Sequence, residues 1–290
     1  MEPTLFSIGK AADICNVSTR TLRFYEQNGL VMPDHVDEEN RYRYYSYETL
    51  LRVQTIRYLL DEGFPLEEIK DMLHKYDLDT MKLHFNTRIK ETQLELRYLK
   101  QRLTSLNAWH SLLTEGDYVL KHNAQTVHTK HLPVHDCFFF RHQPKNEAEL
   151  KAAYIETTFY SESKRHGNDM VDIGGSINVY FESFEDRIHS NVKEMTLLQT
   201  MYPDSDSHDN VLRFGGFLAA ACYHIGNRSN IASTYQKIID WCAAHHFALR
   251  GDSFERHVLD GYSVIKEDQF VTEVLLPFAD EETVIEAKDW

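Results

Sequence analysis

Apolar residues at the start of the chain fall into short runs with helical spacing. Ile8, Ala11, Ala12, Ile14 and Cys15 line one face of a predicted helix. Asn16-Val17-Ser18 then forms a polar break in which Ser18 suits an N-cap. A second helix is therefore predicted from about Ser18 to Asn28, with Leu22 as its core residue and Gly29 as its stop. Thr19, Arg20, Thr21 and Arg23 put polar side chains near its beginning, the layout of a helix that reads DNA. After Pro33 an acidic loop, Asp34 to Glu39, leads into Arg41-Tyr42-Arg43-Tyr44-Tyr45, an extended aromatic and basic stretch suited to a β-wing. Ser46 caps a helix running to about Tyr58. Gly63-Phe64-Pro65 breaks the chain, and Leu66, Ile69, Met72 and Leu73 mark another short helix.

Past Asp77 the pattern becomes the most regular in the chain. Phe85, Ile89, Thr92, Leu96, Leu99, Leu103, Leu106, His110 and Leu113 alternate spacings of four and three, a heptad seam. A helix from Leu78 to Leu113 would be about 50 Å long, too long for a small head to cover, so the seam predicts a coiled coil with a second copy. Gly116 and Asp117 read as a break opening a linker. Beyond it, two stretches each put an apolar strand before an amphipathic helix: Cys137–His142 before Leu150–Tyr160, and Phe217–His224 before Ile231–His245. Further strands are predicted at Ser176–Phe181, Arg256–Leu259 and Val271–Pro277, and the economical reading is a tandem α+β repeat.

Charge complicates a DNA-binding reading, because the formal net charge is −14 and affinity for nucleic acid comes largely from neutralised phosphates. Much of the acidity is C-terminal: residues 123–290 hold 15 lysines and arginines against 26 aspartates and glutamates, whereas residues 1–75 hold 9 against 13. DNA binding thus requires the head's arginines to be focused on one face. The four cysteines form no CxxC pair, which disfavours a disulfide framework or zinc site. His128, His131 and His135 fall on alternating faces of a predicted strand, so no metal is expected there. No secretory signal or membrane-length apolar run is visible, which predicts a cytoplasmic protein.

Phe6-Ser7-Ile8-Gly9-Lys10, Asn16-Val17-Ser18, Leu22-Arg23-Phe24-Tyr25-Glu26, Gly29-Leu30, Pro33, Arg41-Tyr42-Arg43-Tyr44-Tyr45 and Gly63-Phe64-Pro65-Leu66-Glu67-Glu68-Ile69 together resemble the MerR family of transcription regulators over about residues 5–73. The rest of the chain, through Tyr154, Tyr223, Phe254-Glu255 and Phe270, is similar to the multidrug-sensing, BmrR-like branch, whose effector domain is a tandem repeat of gyrase-inhibitor-like fold.

The resemblance implies a multidomain chain: a helical, winged helix-turn-helix head at 1–75, a long antiparallel coiled-coil helix at 76–116, a linker at 117–124 and an α+β tandem-repeat effector domain at 125–290. It implies that Ser18, Thr19, Arg20, Arg23 and Tyr25 lie on or beside the major groove, with Arg41, Tyr42, Arg43 and Tyr44 in the wing. Where the family commonly has glycine, this chain has Arg41. A ligand-responsive activator follows: a homodimer on promoter DNA that distorts an overlong spacer for RNA polymerase when a small lipophilic or cationic aromatic effector binds. No cofactor and no catalysis are implied. For the effector, the resemblance points to Tyr154, Tyr223, Glu255 and Phe270, with Glu255 as the charge partner. Phe159, Tyr180, Phe181, Phe214 and Tyr235 are further aromatic candidates, and of these five together with Tyr154, Tyr223 and Phe270 at least half are expected to be core. The alternatives are a hydrolase of small electrophiles using Glu255 and Tyr154, and a regulator that senses a protein partner.

Overall fold

The computed structural model describes residues 4–75, 77–145, 149–150, 173–201, 210–279 and 284–287. The chain divides into two compact units, Met1–Leu96 and Arg97–Trp290, each with its own core.

The first unit comprises β1 (Leu5–Ser7), α1 (Ile8–Cys15), α2 (Thr19–Gln27), β2 (His35–Val36), β3 (Arg43–Ser46), α3 (Tyr47–Asp61), α4 (Leu66–Lys75) and the first part of α5 (Leu78–His122). Serines set three of the helix starts. The side chains of Ser7, Ser18 and Ser46 accept from the amides of Lys10, Thr21 and Thr49, satisfying donors that the first turn leaves unpaired. Asn16 ends α1 in the left-handed region at φ 52°, a conformation asparagine tolerates. Ala11, Cys15, Leu22, Tyr45, Val53, Ile56, Ile69 and Met72 fill the core. The small sheet, in the order β1-β3-β2, forms the wing. Its turn is held by Asp37 Oδ1, which accepts from the amides of Glu39 and Asn40, and Arg41 takes a positive φ of 61°, a conformation that glycine adopts more readily.

Among the described residues the second unit is a nine-stranded antiparallel sheet served by the end of α5 and two helices. Its strands are β4 (His128–Leu132), β5 (His135–His142), β6 (Ile173–Phe181), β7 (Met195–Met201), β8 (Val211–Gly215), β9 (Phe217–Ile225), β10 (Ser253–Leu259), β11 (Val271–Pro277) and β12 (Val284–Ala287), in the order β12-β8-β5-β7-β6-β10-β11-β9-β4. β10 lies between β6 and β11, so residues on both of its faces are buried. One face carries Leu198, Phe214, Ala221, Phe254 and Leu275. The other carries Leu197, Val179, Ala220, Cys222 and Val274 and is covered by α6 (Phe184–Ile188) and α7 (Ala232–Ala244). The predicted strands at Ser176–Phe181, Arg256–Leu259 and Val271–Pro277 lie within β6, β10 and β11. The second strand–helix pair is β9 and α7. The strand predicted at Cys137–His142 lies within β5, whereas the helix predicted after it at Leu150–Tyr160 lies almost wholly outside the described residues.

The linker expected at 117–124 is corrected by α5, which continues without a break through Gly116 and Asp117 to His122. Gly116 is buried, and a Cβ there would come within 2.3 Å of Leu259. The missing side chain lets Leu259 of β10 seat directly on the helix, next to Val119, Val258 and Val271. That burial offsets the helix penalty of glycine, roughly 1 kcal/mol. Along α5, Ile89, Leu96, Leu99, Leu103, Leu106 and Leu113 remain 44–61% exposed, so the heptad seam is an apolar stripe that its own chain does not cover. Among the described residues no helix is long and apolar enough to cross a membrane.

Candidate DNA-binding surface and a buried carboxylate

The head presents the polar start of α2 to solvent. Ser18, Thr19, Arg20 and Arg23 are exposed, while Leu22 is buried beneath them. The Ser18 hydroxyl is engaged locally, 2.8 Å from Thr21 Oγ1 and accepting from its amide at 2.9 Å, so it shapes the helix start. Tyr25 differs from expectation: it falls three residues after Leu22, on the same face, and is only 3% exposed, so it packs in the core. In the wing, Arg41 and Tyr42 are exposed and Tyr44 is half-buried, its ring 5.9 Å from that of His35. Arg43 is half-buried and donates from Nε to Glu26 Oε2 at 2.8 Å. That ion pair ties the wing to α2 through Glu26, the one acidic residue of the helix, while Arg20 and Arg23 stay exposed along it.

In the second unit Glu255 lies deeper than a partly buried ligand group, with 0% exposure. Arg187 of α6 donates from Nε to Glu255 Oε1 at 2.8 Å, and the Tyr235 hydroxyl of α7 donates to the same oxygen at 2.8 Å. The Arg187 guanidinium also stands 5.2 Å from the centre of the Phe181 ring. Glu255 Oε2 is buried without a hydrogen-bond partner among the described residues. Burial, and then the adjacent carboxylate, push the Tyr235 hydroxyl well above its ordinary range, so it remains a donor. His257, two residues along the same face, is held neutral by burial and by the charges of Arg228 and Arg187.

Of the remaining expected ligand residues, the described ones do not gather here. Tyr154 and Phe159 lie outside the described residues. Tyr223 projects from the opposite face of the sheet, where its hydroxyl donates to Glu115 Oε1 at 2.7 Å, because the strict alternation along β9 to β11 puts it in register with Glu273 and Arg256. Phe270 precedes β11 with its ring under Arg228, 5.3 Å from the guanidinium. On Tyr223's face Arg256 pairs with both Glu115 of α5 and Glu273, the latter at 2.7 Å, and Lys130 reaches Glu273 at 2.7 Å. Although burial opposes its ionisation, hydrogen bonds from Arg256 and Tyr223 hold the Glu115 carboxyl below its ordinary value. Arg187, Glu115 and Arg256 were not legible as site residues, since each is defined only by a partner distant in sequence. No group of histidine, cysteine, aspartate and glutamate among the described residues is arranged to hold a metal.

Residues 6–76 match the family model for MerR HTH family regulatory proteins. Over 272 residues the chain is 23% identical to the multidrug-efflux transporter 2 regulator of Bacillus subtilis, covering 93% of this chain and 95% of that protein. Over 77 residues it is 40% identical to the mercuric resistance operon regulatory protein of Bacillus cereus, covering 27% of this chain and 58% of the relative. A solved EcmrR–DNA complex aligns with 94% of this chain and 99% of its own at 17% identity, with a TM-score of 0.44.

Proposed function

We propose, for a chain whose N-terminal domain belongs to the MerR family of DNA-binding transcription regulators, a homodimer that switches promoter activity when a small lipophilic cation enters its second domain. Residues 1–75 act as the DNA-binding head, 76–122 as the dimerisation helix and 123–290 as the effector domain. Arg20 and Arg23, with Ser18 and Thr19, meet the major groove, while Arg41, Tyr42 and Tyr44 meet the flanking backbone, with Arg43 braced on Glu26. The exposed seam of α5 pairs with that of a second copy, because six half-exposed apolar residues in heptad order gain most from a partner with the same pattern. Two heads then bind a two-fold promoter site, and ligand binding favours the state that bends and untwists the spacer for RNA polymerase.

The observation that carries the ligand reading is the wholly buried Glu255 with one oxygen unpartnered. Arg187, seated between that carboxylate and the Phe181 ring, occupies the position of a cationic head. A lipophilic ammonium competes for the same charge and ring face, displacing Arg187 and freeing the five-residue α6. Relatives named as regulators of multidrug-efflux transporters support placing the ligand among such compounds.

The test is calorimetric titration of 2-phenylethylammonium and its uncharged isostere 2-phenylethanol into the wild type and Glu255→Gln. The cation is expected to bind the wild type more tightly, and the variant to lose that preference while keeping its affinity for the alcohol. Equal affinity for the two probes in the wild type contradicts the reading.

A further inference from the structure

A separate cavity of about 260 Å³ lies on the sheet face opposite Glu255, between the C-terminal half of α5 and strands β5, β6 and β10. We propose that it is a second small-molecule site, taking a neutral aromatic of one or two rings that carries a primary amide or an equivalent donor–acceptor edge.

The cavity is built into the sheet. The pairing of β6 with β7 slips between Gly174 and Asn178, a bulge in which Gly175 adopts φ +79°. The buried Gln199 side chain donates from Nε2 to the Gly175 carbonyl at 3.1 Å and holds the bulge out. Bulges re-aim the side chains beside them, and here Ser176 and Asn178 both line the cavity. The wall is aromatic: Phe254 stacks on Phe214 with centroids 5.1 Å apart and planes at 27°, and Phe214 is fixed edge-on by Tyr180 and Phe217. Such a wall suits a flat ring, and the volume lies below the range for drug-sized ligands, which limits the occupant to one or two rings.

The polar groups select against charge. Arg256 and Glu115, both in the lining, are committed to each other, Glu115 also to the Tyr223 hydroxyl and Arg256 also to Glu273. An anion would have to take Arg256 from its carboxylates, and a cation would have to take Glu115 from Arg256. The Cys137 thiol in the lining is pushed up to about 12, chiefly by burial, and stays protonated. Of the other polar side chains in the lining, Ser111 and His135 are exposed and Ser176 and Thr200 half-buried, and Asn178 is the buried one. Its amide carries two hydrogens and two acceptor lone-pair positions. One hydrogen goes to the Ser176 carbonyl at 3.2 Å, and one lone pair takes the Ser176 hydroxyl at 3.2 Å. The other donor and acceptor match a ligand amide edge to edge, whereas a carboxylate offers only acceptors and an amidinium only donors.

Benzamide, benzoate and benzamidine share one shape and differ in that edge, so they decide the matter when titrated into the full-length protein by calorimetry. Benzamide is expected to bind at least about tenfold more tightly than either charged isostere, the factor expected when one buried polar group is left unpaired. Ser111→Trp, at an exposed α5 position lining the cavity, is expected to abolish benzamide binding with an unchanged melting temperature. Asn178→Asp, which keeps the shape and removes the donor, is expected to reverse the order in favour of benzamidine. Glu255→Gln is expected to leave benzamide binding intact, which separates this site from the one proposed above. Equal affinity for the three probes, benzamide binding that survives Ser111→Trp, benzamide binding lost in Glu255→Gln, or no benzamide binding at all would each overturn the proposal.

Discussion

Glu255 and Arg256 are consecutive residues of β10 whose side chains leave the sheet in opposite directions, Glu255 onto Arg187 and Tyr235, Arg256 onto Glu115 and Glu273. The two-residue period of a strand dictates this division. A displacement of β10 that changes the Glu255 pair therefore acts at once on the pair that anchors α5 through Glu115.

Removing one member of the Glu255 pair leaves an unpaired charge in a buried site. Arg187→Ala is expected to destabilise the folded protein by roughly 3–5 kcal/mol, the range for an uncompensated buried ion. The double variant Arg187→Met/Glu255→Gln should cost much less. Urea denaturation measures both, and a loss below about 1 kcal/mol in the single variant would mean that the pair contributes little. Saturating 2-phenylethylammonium should return part of the stability to Arg187→Ala by mass action.

Gly116 and Leu259 should behave as one unit. Gly116→Ala drives a methyl group into a side chain 2.3 Å away and is expected to cost about 1–3 kcal/mol, although alanine is the better helix former. In Gly116→Ala/Leu259→Ala the added methyl fills space that the leucine vacated, so the combined loss should be smaller than the sum. Thermal denaturation of the four proteins in a double-mutant cycle checks this, and strict additivity would show that the two residues do not touch.

Two buried histidines set a pH dependence. Burial, reinforced by Arg228 and Arg187, holds His257 well below its ordinary 6.5, and burial lowers His224. Below pH 6.5 the unfolded chain takes up protons that the folded chain refuses. Their contribution is therefore complete above that pH and declines as pH falls toward the folded values, at up to about 1.4 kcal/mol per unit for each group. His257→Leu is expected to flatten the fall in stability between pH 6.5 and 5.5 by as much as one proton. An unchanged slope in urea melts would mean that His257 titrates normally in the fold.

Much of the head was legible because its signals are local. Ser18 and Ser46 mark helix starts through their own side chains, and the spacing of Ala11, Cys15 and Leu22 encodes the face they bury. The strands around Phe217, Phe254 and Leu275 were legible from apolar runs. Long-range pairing accounts for the rest. Gly116-Asp117 reads as a break until Leu259 is seen packed against it. Glu26 meets Arg43 of the wing, seventeen residues further along the chain. Tyr223 and Glu255 look like neighbours in one pocket, but strand register puts them on opposite faces.

On DNA, Arg20→Ala is expected to cost on the order of 1–3 kcal/mol on a specific site and less on random duplex, as for a group that reads a base edge. Arg43→Ala, which also leaves the Glu26 carboxylate of α2 without its partner, should weaken binding to both duplexes alike. Fluorescence anisotropy at several salt concentrations separates the two. A larger specific loss for Arg43→Ala than for Arg20→Ala would exchange their roles.

The central claim, two heads held on one DNA site by the α5 seam, is tested most directly by selecting bound duplexes from a randomised pool with the full-length protein and with Leu99→Asp/Leu103→Asp, whose charges cannot be accommodated in a buried seam. The wild type is expected to enrich an inverted repeat of two half-sites, and the variant, as a monomer in sedimentation, to enrich no such repeat. Recovery of a single half-site by the wild type, or of the same inverted repeat by the variant, would contradict it.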